Sequence, residues 1–267
     1  MPQLLRDIEP LRPLLAQHPL ALLSDIDGTL SPIVPNPDDA RVSERNDTTL
    51  RALIARGVKV GLITGRDLDR ARRLIDLPGA VYAASHGLTI FDGGRVEAPV
   101  DVAEWVTRAR EIVRGASDLE ANGVTIEDKG AIVAFHYRRA PSESAAVAAI
   151  RHALSLPVAN GFRVMEGRKV IELRPPVNAD KGSAVIDLVQ RMSARSVICL
   201  GDDVTDIDMF EAVHRLRSDG ARSAVVGVNS PEASENLLAA CDYLVEGVEG
   251  VEWLLEEVLN ALPATKP

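Results

Sequence analysis

The chain predicts an α/β fold, a parallel sheet between helices interrupted by a smaller α/β domain. Three observations lead there. Short apolar runs, each ending in a small or polar residue, alternate with amphipathic helical stretches through most of the 267 residues, as in a parallel sheet with crossover helices. At about 150 residues per domain, that length suggests two compact units or one large one. A middle stretch follows another rhythm, helix, two strands, helix, two strands, which marks an insertion.

Core strands are expected at 20–25, 58–64, 80–85, 196–201 and 224–228, and helices near 44–56, 67–76, 180–193, 204–216, 231–239 and 249–261. Arg6, Asp7 and Glu9 break up the N-terminal leucines, which read as an amphipathic helix and not a signal peptide. Asp92-Gly93-Gly94 supplies the turn of a hairpin over 88–97. The insertion spans 102–175, between core segments 1–101 and 176–267, with Pro99 and Pro175-Pro176 as hinges. Its helices are 102–115 and 142–156. Its strands are 124–127 and 131–138, joined at Asp128-Lys129-Gly130, then 162–166 and 169–174, joined at Gly167. Period 2 puts Val133, Phe135 and Tyr137 on one face, with His136 and Arg138 on the other. Ile171 and Leu173 likewise oppose Glu172 and Arg174. The apolar sides suit the helices, and the mixed Glu, Lys, His and Arg side suits sugar hydroxyls. A solvated sheet face is the plain alternative.

Composition narrows the function. Thirty Lys and Arg against thirty-nine Asp and Glu give a net charge of −9, which argues against nucleic acid while leaving room for a local anion site. With 46% hydrophobic residues, 19 Gly and 16 Pro, the chain reads as a soluble globular protein. No apolar run approaches the ~20 residues of a membrane span. Four Phe, three Tyr and two Trp are too few for base-stacking platforms. Cys199 and Cys241 lie far apart in apolar contexts without metal spacing, and read as buried thiols of a reducing cytosol.

The chemistry concentrates in a few short segments. Asp25-Ile26-Asp27-Gly28-Thr29-Leu30 follows the first core strand at its carboxyl end, where open α/β sheets bind ligands. Alternation aims Asp25 and Asp27 to the same side, and Gly28 permits a sharp turn. Gly201-Asp202-Asp203-Val204-Thr205-Asp206 ends the strand 196–201. Asp203 and Thr205 read equally as helix-start residues. If the two strands are neighbours, the carboxylates of Asp25, Asp27, Asp202, Asp203 and Asp206 converge and require a hard cation, for which Mg²⁺ is suited. Thr64-Gly65-Arg66 offers a hydroxyl and free amides before a helix. Lys181 begins a helix where the dipole disfavours a cation, so an anionic partner is expected.

In that order, DxDGT, Thr-Gly-Arg, Lys and GDDxxD, the motifs resemble the haloacid dehalogenase superfamily of phosphatases across essentially the whole chain. The insertion resembles the cap of its sugar-phosphatase branch. More narrowly, Glu127-Asp128-Lys129-Gly130, His136-Tyr137-Arg138, Glu172-Leu173-Arg174-Pro175 and Lys181-Gly182, with the 201–206 motif, are similar to the trehalose-6-phosphate phosphatase family. Ile207 stands where that family more often has Glu.

The resemblance implies a Rossmann-like parallel-sheet core with an inserted α/β cap that closes over it. It also implies Mg²⁺-dependent hydrolysis of trehalose 6-phosphate through an aspartyl-phosphate, the last step of trehalose biosynthesis. Asp25 would be the nucleophile. Asp27 would be the general acid and base, its proton retained by a nearby carboxylate. Thr64, the Gly65 amide and Lys181 would bind the phosphoryl group. Asp25, Asp202 and the Asp27 carbonyl oxygen would hold Mg²⁺, with Asp203 and Asp206 orienting ligands or waters. Arg66, Glu127, Lys129, His136, Arg138 and Glu172 would contact substrate. The implied setting is cytoplasmic, with a small sugar phosphate as ligand, no nucleic acid or membrane, and a trehalose-phosphate synthase left open as partner. Alternatives are a phosphatase for sucrose-phosphate, mannosyl-phosphoglycerate or hexose phosphate, and a non-catalytic sugar-phosphate sensor. A phosphoacceptor signalling domain ranks last, since it ordinarily lacks Asp27 and a cap. The Pro-rich loop 31–39 reads equally as a flap or a stiff path.

Overall fold

The computed structural model describes residues 2–98, 102–155, 157–167, 169–177, 179–231 and 233–262. The chain begins β1 (Gln3–Leu4), α1 (Arg12–Leu15), β2 (Leu20–Ser24), α2 (Glu44–Ala55), β3 (Lys59–Ile63), α3 (Leu68–Leu74), β4 (Val81–Ala84), β5 (Thr89–Asp92) and β6 (Arg95–Glu97). It continues α4 (Val102–Gly115), β7 (Thr125–Asp128), β8 (Val133–His136), α5 (Glu143–Leu154), β9 (Arg163–Gly167) and β10 (Val170–Arg174). Last come α6 (Lys181–Arg191), β11 (Ser196–Gly201), α7 (Ile207–Ser218), β12 (Arg222–Asn229), α8 (Glu235–Ala240), β13 (Tyr243–Glu246) and α9 (Gly247–Ala261). Two compact units result: Met1–Glu97 with Ala179–Pro267, and Ala98–Asn178. Pro99, expected as a hinge, lies outside the described residues.

The first unit holds a nine-stranded sheet in the order β1-β13-β12-β11-β2-β3-β4-β5-β6. Pairing is parallel from β1 through β4, and β5 and β6 extend the sheet in antiparallel fashion, β5 against β4 and β6 against β5. Alternation along the central β2 sends Leu20 and Leu22 into one core layer and Ala21 and Leu23 into the other. Leu53 of α2, Ala71 of α3 and Leu254 of α9 complete the first layer. Val185 of α6, Phe210 of α7 and Leu237 of α8 complete the second. Because both faces are covered, the strands read as solid apolar runs and not as alternation. From β2 the chain moves to β3 on one side, and it returns as β11 on the other. The strand order therefore reverses at β2, which places a ligand crevice at the carboxyl ends of β2 and β11.

The N-terminus departs from the single amphipathic helix expected. β1 pairs with β13, and only the short turn Glu9–Leu11 and the four-residue α1 follow. Pro10 and Pro13 lack the N–H groups that a continuous helix needs, yet Leu5, Ile8, Leu11, Leu14 and Leu15 are all buried. The expected helix 231–239 shortens to α8, whose start is fixed by Ser234 accepting a hydrogen bond from Leu237 N–H. No helix among the described residues is long and apolar enough to cross a membrane.

The second unit is a four-stranded antiparallel sheet, β7-β8-β10-β9. Val133, Phe135, Ile171 and Leu173 pack against Ala109 and Ile112 of α4 and Ala146 and Ile150 of α5. β8 stops at His136, so Arg138 sits in an exposed turn beyond the sheet face. Gly167 remains in β9 opposite Val170, and Lys169 adopts the left-handed backbone of the turn.

Phe135 is fully buried among these side chains. Phe135→Ala is expected to cost about 3–5 kcal/mol, read as a lower urea midpoint by circular dichroism.

Candidate active site

Pairing continues one residue past β2: the Asp25 N–H donates to the Leu200 carbonyl of β11 at 3.1 Å. This carries Asp25 to the crevice, where it is buried. Its Oδ1 lies 2.9 Å from Lys181 Nζ, and the same ammonium lies 2.7 Å from Asp206 Oδ1. The second oxygen of Asp206 accepts the N–H groups of Asp202 and Asp203 at 2.9 and 3.0 Å. Asp206 is thus fully buried with both oxygens engaged. The anionic partner expected for Lys181 is a pair of carboxylates from its own chain. Thr29 Oγ1 donates to Asp202 Oδ1 at 3.2 Å. Gly28 has φ +83°, and a Cβ there would fall 1.9 Å from Asp202 Oδ2. Glycine is unstrained at that φ, and lacking a side chain it leaves the carboxylate its space.

Burial raises the Asp25 carboxyl well above the usual range; Lys181 opposes this, while Asp206, Asp202 and Asp27 add to it. Burial likewise pushes Asp202 up to about 8, with Asp206 adding and Lys181 opposing. For Lys181, burial works against the charge, but Asp206 and Asp25 override it and hold the ammonium above the ordinary lysine value. One oxygen each from Asp25, Asp202 and Asp206 comes within 4.8 Å of the others. Three buried carboxylates around one ammonium leave negative charge uncompensated. An all-oxygen donor set with that deficit fits a hard metal ion.

Asp27 faces elsewhere. Arg66 Nε and Nη2 donate to its two oxygens at 2.7 Å each, and Nη2 also donates to the Pro37 carbonyl at 2.9 Å. The neighbour of Asp27 is therefore a guanidinium and not the carboxylate expected to retain its proton. The same arginine ties the Pro-rich loop down at Pro37. Thr64 is buried at the end of β3, its Oγ1 accepting the Arg66 N–H at 3.1 Å. Asp203 is exposed, and Ile207 opens α7 packed against the core. Gly28 and Asp202 open on a cleft of about 590 Å³ also lined by Pro32, Ile33, Ser43 and Glu252.

The second unit carries its own polar cluster. Sheet register sets Glu127 and Glu172 on either side of Ala134, so the three share a face, with the small Ala134 leaving room between. Lys129 Nζ bridges them, 3.0 Å from Glu172 Oε1 and 3.7 Å from Glu127 Oε2. His136 Nε2 lies 2.9 Å from Glu127 Oε2, and Arg174 Nη2 lies 2.6 Å from Glu172 Oε2. Glu127, Lys129, His136 and Glu172 are brought together as a set, whereas Arg138 is left in its turn. Arg174 and Thr29 were missed as site residues. Period 2 already aligned Arg174 with Glu172, and Thr29 stands inside the first acidic motif.

The sequence model of the trehalose-phosphatase family matches residues 23–239. The trehalose-phosphate phosphatase of Mycobacterium avium (strain 104) is 36% identical over 262 residues, covering 88% of this chain and 65% of that protein. The probable trehalose-phosphate phosphatase of Sinorhizobium fredii (strain NBRC 101917 / NGR234) is 34% identical over 236 residues, covering 84% and 88%. The chain thus spans less than two thirds of the Mycobacterium avium relative and most of the Sinorhizobium one. Among solved structures, Aspergillus fumigatus trehalose-6-phosphate phosphatase matches with TM-score 0.65 at 27% identity, over 98% of this chain and 100% of that one. The C-terminal domain of the C. albicans trehalose-6-phosphate phosphatase shares the fold with TM-score 0.75 at 24% identity, over 97% and 98%. A haloacid dehalogenase-like hydrolase from Bacteroides thetaiotaomicron also shares it, with TM-score 0.60 at 16% identity, over 89% and 98%. With the acidic crevice at β2 and β11 and a family match over most of its length, the chain belongs to the trehalose-phosphatase family.

Proposed function

We propose that this protein is a Mg²⁺-dependent phosphatase that hydrolyses trehalose 6-phosphate to trehalose and phosphate. The observation that carries the reading is the buried Asp25 held 2.9 Å from Lys181 beside Asp202, in a member of this family. A carboxylate next to a fixed ammonium is a nucleophile with a charge partner for the phosphoryl oxygens.

Asp25 attacks phosphorus in line, forming an aspartyl-phosphate as the bond to the sugar oxygen breaks. Asp27, once one oxygen is released from Arg66 and takes up a proton from solvent, gives that proton to the departing oxygen. It then takes one from the water that attacks the phosphorus, releasing phosphate and restoring Asp25. Arg66, bonded to both Asp27 oxygens, fixes the position of this acid–base group and contacts substrate. Thr64, the Gly65 amide and Lys181 stabilise charge on the transferring group, where most phosphoryl-transfer catalysis resides. Asp206 holds Lys181 and the amides of Asp202 and Asp203, and Asp203 orients water from the rim. The Asp25 and Asp202 carboxylates and the Asp27 carbonyl oxygen would hold Mg²⁺, which would supply positive charge to offset that of the transferring group.

The polar sheet face of the second unit selects the sugar. Its carboxylates, Glu127 and Glu172, accept hydroxyl protons, and Lys129, His136 and Arg174 donate; Arg138 joins from its turn. A synthase that forms trehalose 6-phosphate is the candidate protein partner. The buried free thiols Cys199 and Cys241 suit a cytoplasmic setting.

Four outcomes test this reading. Phosphate release against a panel of sugar phosphates is expected to favour trehalose 6-phosphate and to require Mg²⁺. Glu172→Gln should raise KM for that ester while barely changing aryl phosphate hydrolysis; even activity over all hexose phosphates would refute the sugar assignment. Asp25→Asn is expected to abolish turnover with an unchanged circular dichroism spectrum, and substantial residual turnover would exclude the covalent route. The fourth outcome is a pH profile. Without divalent cation, folded Asp202 titrates at about 8 against 3.8 ordinarily, and Asp25 is raised in the same direction. The native state then holds protons that the unfolded chain has lost. Their stabilisation is complete below about pH 4 and disappears as pH rises through about 8. The cation-free Tm should therefore fall from pH 5 to pH 8.5, and added Mg²⁺ should raise it more at pH 8.5, where it binds ionised carboxylates. A Tm indifferent to both would contradict the assignment.

A further inference from the structure

Three consecutive residues after β4 hold left-handed backbone: Ser85 (φ +49°), His86 (φ +57°) and Gly87 (φ +92°). For residues with a side chain, that conformation persists only where surrounding contacts offset its cost. Here those contacts run to the loop 64–66. Ser85 N–H donates to the Arg66 carbonyl at 2.7 Å, and His86 N–H donates to the Thr64 carbonyl at 2.9 Å. The two bonds grip the residues on either side of Gly65. The imidazole of His86, itself buried, closes over Gly65. A methyl built on Gly65 would lie 2.8 Å from ring atoms Cε1 and Nε2, and its three nearest atoms all belong to that ring. Gly65 does not have positive φ, so its backbone tolerates a side chain and the His86 ring is what bars one.

The same turn also abuts the helix that carries Lys181. A Cβ on Gly87 would lie 3.0 Å from both the Asp180 carbonyl oxygen and Ala184 Cβ. One buried, strained turn thus touches both elements that the proposed mechanism assigns to phosphoryl charge: the Gly65 amide and the start of α6.

We propose that His86 is a positioning residue of the phosphoryl site, its ring setting where the Gly65 amide stands relative to Lys181. This inference rests on the phosphatase reading above. It is tested by a double-mutant cycle in the full chain with His86→Asn, Gly65→Ala and the pair. Asparagine tolerates left-handed backbone while removing the ring. The readouts are kcat and KM on an aryl phosphate, orthovanadate binding by calorimetry, and Tm. Gly65→Ala, with its methyl forced against the ring, is expected to lower kcat about 100-fold, as a displacement near 1 Å does. His86→Asn should lower kcat about tenfold with KM little changed. In the pair the methyl takes the space the ring vacates, so kcat should return to the His86→Asn level. Orthovanadate affinity should weaken in step with kcat at nearly constant Tm. Losses that multiply in the pair, or a kcat loss that tracks Tm with vanadate binding intact, would overturn the proposal. A wild type that turns over no phosphate ester but shows the same vanadate cycle refutes the phosphatase reading and leaves the positioning role standing. One that does neither overturns both.

Discussion

The ammonium of Lys181, buried between Asp25 and Asp206, is the constraint from which the rest of the site follows. A buried charge is tolerated only when paired and hydrogen-bonded, and here each partner comes from a different segment of the chain. Asp25 ends β2, Lys181 begins α6, and Asp206 follows β11. Satisfying the lysine therefore fixes the loop after β2, the start of α6 and the loop after β11 against one another. Asp206 passes the constraint on, since its second oxygen holds the amides of Asp202 and Asp203. Asp202 in turn leaves no room for a side chain at Gly28.

Compensation is incomplete, and that incompleteness is the functional property. Asp25 and Asp202 are carboxylates that burial alone would neutralise, and their acidity is bought back only by more positive charge. Lys181 supplies one unit, and Arg66 spends its guanidinium on Asp27 and the Pro37 carbonyl. The remaining deficit suits a divalent cation. The second unit handles its charges differently. Glu127, Lys129, Glu172 and Arg174 alternate in sign across one sheet face, with His136 hydrogen-bonded to Glu127, so the two carboxylates are balanced by two cations. Such a surface can trade its internal hydrogen bonds for those of a neutral polyol at little electrostatic cost.

Much of this was legible beforehand for a specific reason. Strands covered on both faces must be solidly apolar, which made β2, β3, β4, β11 and β12 visible as short runs with polar ends, and parallel topology sends functional residues to those ends. The inserted α/β rhythm was visible because the faces of β8 and β10 alternate cleanly, with Phe135 and Leu173 opposite His136 and Glu172. Where reading failed, local pattern and tertiary pairing disagreed. Residues 3–15 carry a helical apolar spacing, but Pro10 and Pro13 break it and β13 recruits Gln3 and Leu4 as a sheet edge. Arg138 continued the period of its strand, yet β8 ended at His136.

Sequence by itself determined the fold class, the insertion and the identity of the acidic residues, because periodicity, turn residues and motif spacing are local properties. It did not determine which charge faces which. That Asp27 meets Arg66, that Lys181 divides itself between Asp25 and Asp206, and that the His86 ring stands over Gly65 are decided by contacts between residues 21 to 156 positions apart. Such pairings depend on strand order and loop closure, which no local spacing encodes.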